Sequence, residues 1–109
     1  MSSAYYAGMS KTSLIVRMKA QPGKRDEILA ALMAALPSAE AEEGTLIYSF
    51  NADLADEDVV WVFELYADGD ALDVHGKSAA VAELFGVVGP LLAEAPDLRL
   101  CAVHGGKGV

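Results

Sequence analysis

The sequence is poor in cysteine, basic residues and histidine, and each shortage closes off a class of function. A single thiol, Cys101, cannot form an internal disulfide, so the fold does not depend on an oxidising compartment. Eight Lys and Arg stand against 16 Asp and Glu, a formal net charge of -8. That balance disfavours nucleic acid and anionic membrane surfaces, both of which need clustered cations. Two histidines and one cysteine give no convincing metal set. No apolar run approaches the roughly 18 residues that would span a bilayer. The N-terminus, MSSAYYAGMSKTS, has neither a basic region nor a long apolar region of the signal-peptide kind. The expected location is the cytoplasm. There is no dinucleotide fingerprint, CxxC, HExxH or nucleophile elbow, and His104-Gly-Gly-Lys-Gly lacks the spacing of a phosphate loop.

What is abundant is apolar surface: 53% of the 109 residues, enough for one domain with a sizeable core and too short for two. Residues 1–12 show no period and read as a flexible tail, 13–104 as the folded domain, and 105–109 as a second flexible tail. Ser13 to Ala20 alternates as a strand, with Leu14, Val16 and Met18 on one face. A helix follows from about Lys24, with an apolar stripe of Ile28, Leu29, Leu32, Met33 and Leu36. Pro37 is expected to kink or end it. Thr45 to Ala52 and Val59 to Tyr66 are strands joined by the polar turn DLADED, a β-hairpin. Asp68 caps a short helix that ends near His75 and Gly76. Ser78 caps a second helix carrying Val81, Leu84, Phe85 and Val88, and Asp97 to His104 is the last strand. The order β-α-β-β-α-β, with its second helix split, is the ferredoxin-like α+β plan: four antiparallel strands with helices on one face.

The third strand does not alternate as a one-sided sheet should. Val59, Trp61, Phe63 and Leu65 make one face; Val60, Val62 and Tyr66 make the other, with Glu64 as its single charge. Helices can cover one of these faces. A second copy of the chain, packed sheet to sheet as a homodimer, is expected to cover the other.

His75 and Glu64 are the candidates for chemistry. A neutral histidine at a helix end can serve as a general base; equally, it can be a capping or core residue. A carboxylate inside an apolar strand must be paired or hold its proton more tightly. It can orient His75 or act as base itself, or it can pair with Arg17 or Arg99. Tyr48, Trp61 and Tyr66, joined by Phe85 on the second of the split helices, can wall a site for a flat organic ligand or can simply pack the core. Cys101, among apolar neighbours, is expected to be buried.

QPGKRDEILAAL after the first strand, EEGTLIYSF entering the second and, above all, FELYADGDALDVHGKS resemble the antibiotic biosynthesis monooxygenase domain family, which includes quinol monooxygenases. In the last segment the matching positions are Glu64, Tyr66, Asp68, Ala71, Leu72 and His75. The resemblance runs from Leu14 to about His104. It implies a dimeric α+β barrel with a cavity in each subunit, between the sheet and its helices. It further implies oxidation of a small phenolic or quinol substrate by O2 without flavin, haem or metal. In that scheme His75 would be base or oxyanion partner, Glu64 its orienting group, and Tyr48, Trp61, Tyr66 and Phe85 the ligand walls. Haem-degrading relatives differ where it matters, since His75 stands where they carry Trp, and Phe85, near their iron ligand, cannot bind iron. Two other classes remain open at the level of sequence: a proton-transfer enzyme acting on a small carbonyl metabolite, and a binding dimer without catalysis.

Overall fold

A computed structural model describes residues 11–109. Four strands, β1 (Thr12–Lys19), β2 (Thr45–Ala52), β3 (Val59–Tyr66) and β4 (Asp97–Ala102), form one antiparallel sheet in the order β2-β3-β1-β4. Three helices connect them: α1 (Arg25–Glu40), α2 (Gly69–Gly76) and α3 (Ala79–Val88), the last running into a 3-10 turn at Gly89–Leu91. This is the expected ferredoxin-like α+β fold. Most of the tail expected at 1–12 lies outside the described residues, and Thr12 already belongs to β1. The last strand ends at Ala102, two residues earlier than expected, and residues 105–109 carry neither helix nor strand.

The helices pack on one face of the sheet because each presents an apolar stripe at helical spacing. Ile28 and Leu32 of α1 and Leu84 and Val88 of α3 close over Val16, Met18, Val60 and Val62. Fully burying side chains such as Ile28 and Leu32 contributes about 1.5–3 kcal/mol each. The α1 stripe continues through Ala35 to Ala39, leaving Met33 exposed. Of the two outcomes open at Pro37, the helix does not end there; α1 runs through to Glu40. Proline this close to the end removes only the one hydrogen bond that its own N–H would have made to the carbonyl four residues back.

Among the described residues, no layer covers the middle of the other face of the sheet. Ile15, Trp61 and Phe63 lie there, Ile15 and Trp61 more than a third exposed. Arg17 and Arg99 share that face by register, Arg17 opposite Trp61 and Arg99 opposite Ile15. Cys101 is exposed and not buried as expected: it sits opposite Ser13 on an edge strand whose six residues are all exposed.

Candidate active site

The short helix α2 positions the histidine. The Asp68 side chain accepts a hydrogen bond from the Ala71 N–H at 2.8 Å, starting the helix as its sequence predicts. Seven residues after that cap, in the last turn, His75 is only 6% exposed. The start of β2 comes up against α2 at Gly44. A Cβ built there would stand 2.5 Å from the Ala71 Cβ, so only glycine permits this approach. The approach brings the preceding loop, and Glu42 with it, to the histidine.

Glu42 Oε1 lies 2.7 Å from His75 Nδ1. The Thr45 hydroxyl donates to the same oxygen at 3.1 Å, holding the carboxylate in place. When Glu42 is ionised, the Nδ1 proton sits between them, and the neutral ring carries its lone pair on Nε2. Nε2 faces Glu64 Oε1 at 3.6 Å, within ion-pair range once the ring is protonated but too long for a hydrogen bond. Glu64 is 6% exposed and accepts a hydrogen bond from the Tyr66 hydroxyl. Burial raises its proton affinity above the ordinary carboxylate value, partly offset by the Tyr66 hydroxyl and by His75. Tyr48 stacks edge-on against His75, with ring centroids 5.0 Å apart, and Tyr66 leans on the imidazole at 5.5 Å. Burial and the two nearby carboxyls push the Tyr48 hydroxyl up, so it stays protonated as a donor. Burial, and then its bond to Glu64, does the same for Tyr66.

These groups border a cavity of about 140 Å³ between the sheet and the helices. Tyr48, Glu64 and His75 line it, together with apolar side chains that include Val16, Met18, Leu32, Val62, Leu84 and Phe85. Of the six residues that the sequence singled out, four therefore reach it. Tyr66 does not line it; its side chain is fully buried behind Glu64, where it acts on the carboxyl. Trp61 is on the opposite face of the sheet, three positions from Glu64 and so of opposite parity, and its indole N–H donates to Asp53 Oδ2 at 2.7 Å. The alternative pairing of Glu64 with an arginine does not occur, for the same reason of parity. Arg17 bonds to Glu94 at 2.9 Å and Arg99 to Asp97 at 2.9 Å, both across the face away from Glu64. Glu42 was not expected, although it stands in the EEGTLIYSF segment. Glu42 and Glu64 address opposite nitrogens of His75, so the three do not converge on one point, and no group of three potential metal ligands occurs among the described residues.

The family profile of antibiotic biosynthesis monooxygenase matches residues 12–86, which span every residue of this cluster. The chain belongs to that family. Two solved structures, each described as a "putative antibiotic biosynthesis monooxygenase", resemble it over nearly its whole length. One, from Caulobacter crescentus, is 25% identical with a TM-score of 0.86 and covers 93% of this chain and 96% of its own. The other, from Chloroflexus aurantiacus, is 27% identical with a TM-score of 0.78 and covers 91% and 98%. A Bacteroides thetaiotaomicron protein described as a "possible oxidoreductase", 21% identical with a TM-score of 0.81, covers 88% and 100% and shares the fold. No curated protein matches the sequence. The family's sheet-and-helix framework accounts for β1 through most of α3; β4 lies beyond the matched segment. No helix among the described residues is long and apolar enough to cross a membrane.

Proposed function

We propose that this member of the family is a cofactor-independent monooxygenase that oxidises a small phenolic or quinol-type aromatic with O2. The observation that carries the reading is the placement of His75. Glu42 holds one ring nitrogen, and the other faces Glu64 beside an otherwise apolar cavity. Chemistry of this kind needs a base for the phenolic proton and a water-poor space for the oxygenated intermediate. His75 Nε2 is the base. Glu42 fixes its tautomer, Glu64 takes up or returns the proton, and the Tyr48 hydroxyl steadies the developing oxyanion. Phe85 forms part of the ligand wall, and Tyr66 positions Glu64. In the overall reaction the ring gains one oxygen atom and loses two hydrogens, becoming a quinone. The second oxygen atom leaves with those hydrogens as water, and all the electrons come from the substrate.

The reading includes a homodimer and a cytoplasmic setting. A second copy packed against Ile15, Trp61 and Phe63 would bury an apolar face that the described residues leave open. The exposed Cys101 thiol suits a reducing compartment.

An oxygen electrode with a panel of phenols and hydroquinones tests the reaction. The wild-type chain should consume O2 with at least one of them, and His75→Ala should lower turnover by about 100-fold or more. Unchanged turnover in His75→Ala removes the assigned base. Deuterium exchange into a carbonyl substrate, with no O2 uptake on any panel member, turns the same residues into a proton-transfer site and overturns the oxygenase reading.

A further inference from the structure

The sheet register sorts the cavity into a polar end and an apolar end. Tyr48 and Leu14 both stand opposite Glu64, so one row across the sheet carries the Tyr48 hydroxyl and the Glu64 carboxyl. His75 packs against Tyr48 at the same level. The next two rows offer Val62 opposite Val16, then Val60 opposite Met18, with no polar side chain. Leu32, Leu84 and Val88 close that end from the helices. Every titratable group in the cavity wall is thus gathered at one end.

Size decides what can occupy the rest. The cavity measures about 140 Å³, and an apolar cavity of about 150 Å³ holds one benzene ring. One six-membered ring fits, with its hydroxyl at the polar end; a second fused ring would have to displace close-packed side chains. Phe85 and Leu98 are about half exposed (48% and 53%) and mark where the cavity meets solvent. Among the described residues the Tyr48 hydroxyl makes no hydrogen bond, whereas the Tyr66 hydroxyl is committed to Glu64. A phenolic oxygen meets both needs of this end: its O–H donates toward Glu64 or His75 Nε2, and its lone pair accepts from Tyr48.

We propose that the ligand of this cavity is a single-ring phenol, bound with its hydroxyl among Tyr48, Glu64 and His75 and its ring between Val16, Met18, Val62 and Leu84, and that fused two- and three-ring quinols are excluded. The proposal rests on the reading of this cavity as the substrate site. It goes beyond that reading by fixing the size and the orientation of the substrate.

Titration calorimetry on the full chain, without turnover, tests it with three probes: 4-methylphenol, p-xylene and 1-naphthol. 4-Methylphenol should bind. p-Xylene, which keeps the ring and lacks the hydroxyl, should bind at least tenfold more weakly, because it leaves the polar end facing carbon. 1-Naphthol should also bind at least tenfold more weakly than 4-methylphenol. Leu84→Ala should enlarge the cavity and recover 1-naphthol binding; Val81→Ala, a smaller deletion at the cavity wall, provides the same readout if the first variant does not fold. Equal binding of 1-naphthol and 4-methylphenol by the wild type overturns the size limit. Equal binding of p-xylene overturns the orientation, and no binding of any probe overturns the ligand class. Oxygen uptake measured in parallel separates the two levels. Binding of 4-methylphenol without O2 uptake from any phenol sinks the oxygenase reading and leaves the ligand class standing. O2 uptake driven only by fused-ring quinols does the reverse.

Discussion

Two carboxyl groups on the β2–β3 hairpin each accept a hydrogen bond from an aromatic side chain of β3, and their proton affinities move in opposite directions. Asp53 accepts from the Trp61 indole and from the N–H groups of Ala55 and Asp56. It lies in the exposed turn, and these donors lower it to about 2, the Trp61 bond contributing most. Glu64 accepts from the Tyr66 hydroxyl, yet burial outweighs that bond and raises it. The donors are alike; the surroundings differ. Successive residues of β3 face opposite ways, and the helices cover only one of those ways. A donor from the strand thus helps keep a turn acid ionised on one side, while the other side carries a proton-retaining acid beside a histidine. The cavity's chemistry therefore comes from the helix layer as much as from the carboxyl itself.

The largest expected disturbance strikes the buried side alone. Gly44→Ala forces a Cβ to 2.5 Å from that of Ala71, so β2 or α2 must shift. A loss of about 1–3 kcal/mol is expected by chemical denaturation, along with displacement of Glu42 from His75. The Trp61–Asp53 bond should be unaffected, and the tryptophan emission of the folded variant should match the wild type.

Glu42→Gln comes next. It keeps the shape and removes the charge that holds the Nδ1 proton. Turnover should fall by about tenfold or more, by analogy with partners that fix ligand histidines. The 15N shifts of His75 should show the Nε2–H tautomer gaining population. An unchanged tautomer would make Glu42 a packing residue only.

Smaller still is the pH effect of Glu64. Its folded proton affinity is raised, so folding favours the protonated form. The stabilisation is fully present below the unfolded carboxylate value and is lost as pH rises through the higher folded value. Glu64→Gln should therefore flatten the decline in the denaturation midpoint above about pH 4.5. Asp53 has the opposite sign. Its contribution is present above the unfolded value of 3.8 and is lost as pH falls toward about 2. This effect should be the smallest, since the group is exposed. It should appear as a change in Trp61 fluorescence below pH 4, absent in Asp53→Asn. A common sign for the two carboxyls would break the comparison.

Most of the scaffold was legible because it is written locally. Alternation marks β1 and β2, a nearly unbroken apolar and aromatic run marks β3, helical spacing marks Ile28 and Leu32, and Asp68 and Ser78 cap the helices they were expected to cap. His75 and Glu64 stood out as a helix-end histidine and a carboxylate in an apolar strand. Glu42 did not, because it is one of several acids in EAEEG and meets His75 across 33 positions of sequence through a tertiary approach. Its one sequence signal is Gly44, whose lack of a side chain permits that approach. Chemical type alone groups Trp61 with the ligand walls. Its odd offset from Glu64 already placed it on the other face, where the structure finds it. Cys101 is exposed because apolar neighbours imply burial only where a second layer exists, and among the described residues none covers that face of edge strand β4.

The fate of oxygen separates oxygenation from simple dehydrogenation of the substrate, and labelled O2 reads it out. With 18O2 and a phenol that supports O2 uptake, the account predicts one 18O atom in each quinone product, the other in water, no hydrogen peroxide, and loss of labelling in His75→Ala. Hydrogen peroxide formed together with an unlabelled quinone would contradict it.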